Sequence, residues 1–181
     1  MSTRYTTPAI VLHWLLAILI LATLGVGLTF EDMPLSPSKI QLLNWHKWAG
    51  ISVLWLTGLR LAWRLTHQPP APLPSLKSWE QKLSSAVHHT LYLLMFAIPV
   101  TGWLLSCAKG FPIVYFGVIP LPNLISKQTK DVVEILEELH GLLANGLLAL
   151  VILHVAGAVK HQWIDKNPIL HRMGIGRSPK E

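Results

Sequence analysis

The sequence predicts an all-α protein that crosses a membrane as a four-helix transmembrane bundle, with both termini in the cytoplasm. Hydrophobic residues make up 51% of the 181 residues and charged residues only 13%, about half of the roughly 25% charged share of soluble domains. Long runs without Asp, Glu, Lys or Arg are the second observation, and the uneven distribution of Lys and Arg is the third. We expect residues 1–181 to form one integral-membrane domain.

Four segments are long enough to cross the hydrocarbon core of a bilayer, which takes about 20 helical residues. We predict spans at about residues 8–30, 41–65, 83–108 and 139–161. The second span is the weakest, because its uncharged stretch covers only Trp48 to Leu59. We still predict that this segment crosses the membrane, because long basic side chains near helix ends can extend their charges to the membrane interface.

Three connections join these spans. Residues 31–38 form a short outer loop, and the proline-rich residues 66–79 are expected to be an extended cytoplasmic loop. Residues 109–138 form a longer outer loop that ends in an acidic, amphipathic stretch from Lys130 to Glu138.

The orientation follows from Lys and Arg, which are enriched in the cytoplasmic loops of membrane proteins. The side of the membrane that is richer in Lys and Arg carries Arg4, Arg60, Arg64, Lys77, Lys82, Lys160, Lys166, Arg172, Arg177 and Lys180. The poorer face carries Lys39, Lys47, Lys109, Lys127 and Lys130. Both termini lie on the richer face and are therefore expected in the cytoplasm.

Composition also excludes several classes of protein. The chain is too apolar to be disordered. Its single cysteine, Cys107, cannot form an internal disulfide, a Cys-ligated zinc finger or an iron–sulfur centre. The net charge of +6 suggests nucleic acid, but the low charged fraction argues against such a partner.

The unusual feature is nine histidines in so apolar a chain, because histidine inside a membrane usually faces the protein interior. His140 and His154 share one face of the fourth span, about 21 Å apart along the helix axis. His46 is expected at the depth of His140, near the outer surface, and His13 at the depth of His154, near the cytoplasm.

Two histidine pairs stacked in a helical bundle suit two b-type haems, since two imidazoles fill both axial positions of a haem iron. A histidine between helices can instead serve only as a hydrogen-bonding group, which is the main alternative. A zinc or copper site is disfavoured because its ligands must converge, whereas the pairs are about 21 Å apart. Small residues near the histidines, such as Gly50, Gly141 and Gly157, would permit close approach of a flat macrocycle, although ordinary helix packing also uses them.

With these residues, the sequence resembles the bacterial cytochrome b561 family over nearly its whole length. The shared segments are Ile10-Val11-Leu12-His13-Trp14-Leu15, Asn44-Trp45-His46-Lys47 with Gly50-Ile51, His88-His89-Thr90-Leu91-Tyr92 with Pro99 and Gly102, and His140 to His154 with Trp163, Asp165 and Leu170-His171-Arg172-Met173. No single segment is specific, but the ordered set is.

The resemblance implies a four-helix diheme protein of the bacterial inner membrane, often a homodimer. It implies His13 and His154 as ligands of the inner haem iron and His46 and His140 as ligands of the outer one. Members pass electrons between the periplasmic side and a quinone near the cytoplasmic haem, and superoxide has been implicated as a donor for some of them.

Three further positions are candidates for supporting roles. Arg60 lies at the depth of the His13–His154 pair, where it can bind haem propionates or simply set the topology. His161, two turns beyond His154, can hydrogen-bond a quinone or carry protons, or it can face headgroups. His88 or His89 can contact a propionate or replace His13 as a ligand, and their adjacency leaves open which of the two faces inward.

The sequence thus predicts a diheme cytochrome b that acts as a quinone-linked oxidoreductase between a quinone and a donor on the outer face. One alternative is a cytochrome b anchor subunit for a dehydrogenase or hydrogenase. Another is a haem-free, transporter-like bundle whose histidines form a proton path.

Overall fold

Four long helices dominate the computed structural model, which describes residues 4–73 and 75–176. Arg177 and Lys180, two of the basic residues used to predict the orientation, lie outside the described residues. The long helices are α1 (Thr7–Glu31), α2 (Pro37–Thr66), α3 (Ser78–Ala108) and α4 (Lys130–Val159).

Shorter elements complete the structure. Between α3 and α4, β1 (Val114–Tyr115) and β2 (Ile119–Pro120) pair antiparallel in a hairpin. A π-helical turn (Lys160–Ile164) continues α4, and a one-turn helix, α5 (Ile169–Arg172), follows it. The amphipathic stretch from Lys130 to Glu138 is therefore the first part of α4 rather than a separate element of the loop.

Local sequence explains where two of the helices begin. Ser36 caps α2, since its Oγ accepts a hydrogen bond from the Lys39 N–H over 3.2 Å, and Pro37 occupies the first turn, where no N–H donor is needed. At the start of α3 the Glu80 carboxylate accepts a hydrogen bond from the Lys77 N–H over 3.0 Å. Such caps satisfy backbone donors that have no partner inside the helix.

Three helical segments within the described residues are long and apolar enough to cross a membrane: Thr7–Phe30, Ser78–Ala108 and Lys130–Ile164. Helix α2 has 30 residues, which is long enough to cross a membrane, but it carries Lys39, Lys47, Arg60 and Arg64. The prediction of a mostly helical membrane protein is confirmed, while the fourth span and the cytoplasmic location of the termini stay predictions.

The long helices share one hydrophobic cluster at their centre. It contains Leu16 and Ile20 of α1, Val53 of α2, Leu94 of α3 and Leu147 of α4. Large apolar side chains elsewhere on these helices are exposed on the molecular surface. Exposed apolar surface of this extent suits contact with lipid rather than with water.

The molecule has two distinct ends. The N-terminal and C-terminal segments meet at one end, where the Tyr5 N–H donates to the Arg172 carbonyl over 3.2 Å and Trp14 Nε1–H donates to the Met173 carbonyl over 2.9 Å. We call this the terminal end. The β1–β2 hairpin lies at the opposite end of α3, which we call the hairpin end.

Candidate functional site

Two histidines from α2 and α4 face each other towards the hairpin end. The ring centroids of His46 and His140 are 6.2 Å apart, with an angle of 79° between the ring planes. Both residues are half-buried. The structure therefore brings together the two histidines that depth matching paired from the sequence.

Hydrogen bonds orient both rings of this pair. His46 Nδ1 lies 3.1 Å from the Thr23 carbonyl oxygen, which can only accept, so Nδ1 carries the proton. Thr101 Oγ1 donates its own proton to the Ile98 carbonyl over 2.9 Å and can accept from His140 Nδ1 over 3.2 Å. Each ring is thus held by a donating Nδ1, which leaves Nε2 with a free lone pair.

Glycines of the neighbouring helices make room for these rings. A Cβ at Gly27 would lie 3.1 Å from His46 Cε1, and a Cβ at Gly102 would lie 2.9 Å from His140 Cε1. A Cβ placed at Gly50 or Gly141, two small residues singled out from the sequence, would meet no described atom within 4 Å beyond its chain neighbours and its own helix backbone. Sequence reasoning missed the contacts of Gly27 and Gly102, although both glycines were visible near the ends of predicted spans.

The second histidine pair joins α1 and α4 nearer the terminal end. The ring centroids of His13 and His154 are 6.1 Å apart, with an interplanar angle of 62°. His88 of α3 also approaches, with its ring centroid 5.4 Å from that of His154. His89 is exposed and its Nδ1 hydrogen-bonds the Ser85 carbonyl over 2.7 Å, so His88 is the histidine of the two that faces the pair.

The spacing of both pairs fits a six-coordinate metal in a flat macrocycle. Metal–imidazole bonds are about 2 Å long, and the ring nitrogen lies about 1 Å from the ring centroid, so two axial imidazoles have centroids roughly 6 Å apart. The observed 6.1 and 6.2 Å agree with this value. The Nδ1 hydrogen bonds of His46 and His140 are also typical of ligating histidines, whose second nitrogen usually donates to an oxygen.

Arg60 of α2 lies at the terminal end beside a cavity. Its Nη1 donates to the Ala9 carbonyl over 2.7 Å, and its Nε donates to the Tyr92 hydroxyl over 3.0 Å. The cavity has a volume of about 330 Å³, and the described residues that line it include Arg4, Arg60 and Arg64 but no carboxylate. Such a surface favours an anion.

A cluster of charged groups surrounds His161 in the π-helical turn. His161 Nδ1 lies 2.7 Å from Asp165 Oδ2, and the Lys160 ammonium donates to Asp165 over 2.7 Å and to Glu80 over 2.8 Å. The Lys160 hydrogen bond lowers the pKa of the Asp165 carboxyl below its usual value, and the contact with His161 acts in the same direction. Ligand atoms of Glu80, His161 and Asp165 lie within 4.8 Å of one another, but the ammonium of Lys160 already compensates the two carboxylates.

Comparison with known proteins gives matches over nearly the whole chain. The family model described as prokaryotic cytochrome b561 matches residues 4–176. Cytochrome b561 homolog 2 of Escherichia coli strain K12 is 32% identical, over 98% of this chain and 94% of the relative. Cytochrome b561 homolog 1 of the same strain is 27% identical over 94% and 96%. A protein of Yersinia pestis named probable superoxide oxidase CybB is 27% identical over 96% and 97%.

Proposed function

Because the chain belongs to the prokaryotic cytochrome b561 family, we propose that it is a diheme cytochrome that transfers electrons across the bacterial inner membrane. The electrons pass between a donor on the outer face and a quinone on the inner face, which makes the protein a quinone-linked oxidoreductase. The observation that carries the proposal is the pair of facing histidines at each of two levels, with centroids 6.1 and 6.2 Å apart.

In this proposal each histidine pair holds one b-type haem. His46 and His140 would hold the outer haem through Nε2, since their Nδ1 atoms are engaged by Thr23 and Thr101. His13 and His154 would hold the inner one. Bound haem supplies reversible one-electron chemistry, while the chain sets the spacing of the two sites, about 21 Å along α4.

Two other side chains would contact the inner haem. Arg60 is proposed to donate to a propionate from the arginine-lined cavity, where its guanidinium is already fixed by Ala9 and Tyr92. His88 is proposed to pack beside His154 rather than to hold the haem, since its ring centroid lies 5.4 Å from that of His154, closer than the 6.1 Å between His13 and His154.

A four-span arrangement with cytoplasmic termini is part of the proposal. The contact between the Tyr5 N–H and the Arg172 carbonyl supports it, because termini that meet on one side require an even number of crossings. Three helices qualify by length and composition, so α2 would be the fourth. The excess of Lys and Arg near this end supports its cytoplasmic location.

The quinone site is proposed at His161. Asp165 accepts from His161 Nδ1–H over 2.7 Å. This leaves the Nε2 lone pair of the same ring to take up a proton, and the protonated Nε2–H can donate to a quinone carbonyl and pass the proton on. The π-helical turn that carries His161 supports the assignment, since π-helical turns occur frequently at functional sites.

The outer donor is proposed to be a small anion, and superoxide is one candidate. One relative is named a probable superoxide oxidase. Lys47 follows His46 directly and is half-buried, so it is the best placed cation to attract an anion towards that histidine pair.

A haem count with a redox titration of purified variants tests the proposal. The native protein should contain two b-type haems, and His46→Ala and His13→Ala should each lose a different one. His89→Ala is the matched control, because His89 is exposed and faces neither pair, and it should keep both haems. A colourless native protein, or loss of the same haem in both alanine variants, would contradict the diheme assignment.

A further inference from the structure

The segment that connects α3 to α4 contains a long uncharged stretch with exposed apolar side chains. Residues 110–126 include no Asp, Glu, Lys or Arg, and Lys109 and Lys127 flank them. Phe111 is 63% exposed, Phe116 60% and Val118 78%. A water-exposed loop would be expected to carry charged residues instead.

The hairpin is fixed against α2 rather than extended away from the protein. Trp48 Nε1–H donates to the Val114 carbonyl over 2.7 Å, and the Tyr115 hydroxyl hydrogen-bonds Ser52 Oγ over 2.7 Å. Ile113 is only 3% exposed and anchors the base of the hairpin. The exposed side chains are therefore held in fixed positions on the protein surface.

These contacts also determine the depth of the hairpin relative to the spans. Trp48 is the first residue of the uncharged stretch of α2, and the uncharged segment that carries the hairpin begins at Gly110, two residues after Ala108, the last residue of α3. The hairpin thus lies where both helices pass from apolar to polar surroundings. In a membrane protein this level is the interfacial region of the bilayer.

The tip of the hairpin turns its apolar side chains outward. Phe116 and Gly117 both have positive φ, at 49° and 73°, a conformation that is unfavourable for a bulky residue such as Phe. The Phe116 ring packs against Trp48, with centroids 5.4 Å apart, and against Tyr115 at 4.5 Å. These contacts hold one side of the ring while the other side stays uncovered.

We propose that the β1–β2 hairpin lies in the lipid interface at the hairpin end, with Phe116, Val118 and Phe111 in contact with acyl chains and headgroups of that leaflet. The uncharged sequence, the outward apolar side chains and the continuity with the membrane-spanning α3 all match a lipid surface. The unpaired backbone groups at the edges of a two-stranded hairpin exclude the hydrocarbon core. In the boundary between headgroups and acyl chains, the apolar side chains can contact lipid and the unpaired backbone groups can still hydrogen-bond water or headgroups. This placement is independent of haem or quinone binding.

Fluorescence quenching in liposomes tests this placement. The single cysteine, Cys107, is replaced by Ser, and an environment-sensitive fluorophore is attached to Val118→Cys or, as a second site, Phe111→Cys. Glu134→Cys is the matched control, because Glu134 is exposed in the charged first turns of α4. All three proteins must elute as the parent does and retain its helical circular dichroism.

With phosphatidylcholine labelled by a nitroxide near the headgroup, the fluorophores at 118 and 111 should lose at least half of their intensity. Aqueous iodide should quench them at least threefold less than the fluorophore at 134. Equal iodide quenching at all three positions would show that the hairpin projects into water and would overturn the proposal. Protection from both quenchers would indicate a protein partner, such as a second copy of the chain, and would overturn it as well.

Discussion

At the scale of single residues, Thr101 determines how His140 presents its ring. The hydroxyl donates to the Ile98 carbonyl and can accept from His140 Nδ1, so this side chain favours one tautomer and one orientation of the imidazole. Partners of this kind are as important as the ligands, since their removal typically weakens metal binding 10–100-fold.

If His46 and His140 hold a haem as proposed, Thr101→Val should weaken its binding by about 10–100-fold without unfolding the protein. The valine keeps the shape of threonine but cannot accept from Nδ1. Haem retention after dilution, followed by redox titration, measures the effect. Thr90→Val on the same helix is the control, because Thr90 is exposed and its hydroxyl donates only to the Ala86 carbonyl. Equal haem retention in the two variants would show that Thr101 does not orient a ligand.

Gly102→Ala should remove the same haem by a steric route. The new Cβ would lie 2.9 Å from His140 Cε1, closer than carbon atoms normally approach, so the ring must move away from His46. Haem stoichiometry should fall from the proposed two per chain to one, with the proposed His13–His154 site preserved. Gly141→Ala is the control, because its Cβ meets no described atom within 4 Å beyond its chain neighbours and its own helix backbone, and it should leave the haem content unchanged. If Gly102→Ala retains two haems, the proposed close packing of this ring is wrong.

At the scale of secondary-structure elements, the end of α4 depends on a network of charges. Lys160, at the start of the π-helical turn, forms an ion pair with Glu80 of α3. It forms a second ion pair with Asp165, the residue directly after the turn. The network holds the turn in place and orients His161. It should consequently respond to pH through Asp165.

The pKa of Asp165 is lowered by Lys160, so its ion pair stabilises the folded protein above the carboxyl's unfolded pKa of about 3.9. This stabilisation is lost as the pH falls through the still lower folded value. Asp165→Asn should therefore lower the Tm at neutral pH, and its difference from the native protein should shrink progressively below about pH 4. Circular dichroism melts across a pH series measure this. Asp32→Asn, at the exposed end of α1, is the control for the loss of a surface carboxylate. A pH-independent difference for Asp165→Asn would argue against the ion pair.

The long helices could be predicted from the sequence, whereas the hairpin could not. Long uncharged runs predicted the positions of the spans, and the same runs lie within α1, α3 and α4. Strands of two residues such as Val114–Tyr115 are too short for any periodic pattern. The hairpin depends on contacts with Trp48 and Ser52, which are distant in sequence, and such tertiary contacts leave no local signal.

The histidine pairs could be predicted for a geometric reason. His140 and His154 lie on one helix, so helical geometry fixed both their shared face and their separation. The contacts of Gly27 and Gly102 depend on how α1 and α3 rotate about their axes when they pack, which their sequences do not determine. The same uncertainty explains why His88 and His89 could be distinguished only in the structure.

At the scale of the whole molecule, apolar and polar groups are distributed as a lipid-embedded protein requires. The surfaces of the long helices expose large apolar side chains, while the four paired histidines face one another inside. Lipid favours such an apolar surface, and polar groups inside must then find partners within the protein. The two histidine levels lie towards opposite ends of the molecule, which suits transfer between two faces of a membrane.

The topology of the whole chain yields the final prediction. If α2 crosses the membrane, the chain crosses four times and both termini share one side, in agreement with the contact between Tyr5 and Arg172. If α2 did not cross, the three remaining spans would separate the termini by the thickness of the bilayer. The position of α2 is therefore decisive for the orientation of every loop.

Reporter fusions distinguish these arrangements. Green fluorescent protein fused after Glu181 should fluoresce, and alkaline phosphatase at the same position should be inactive, because both outcomes require a cytoplasmic C-terminus. Alkaline phosphatase fused after Leu35 or Ser126 should be active, and fused after Lys77 it should be inactive. The pair at Leu35 and Lys77 isolates α2, since these positions flank it, and equal activity at both would show that α2 does not cross. An active phosphatase at the C-terminus with inactive fusions at Leu35 and Ser126 would instead keep four spans and invert the orientation, and would contradict the sidedness inferred from Lys and Arg.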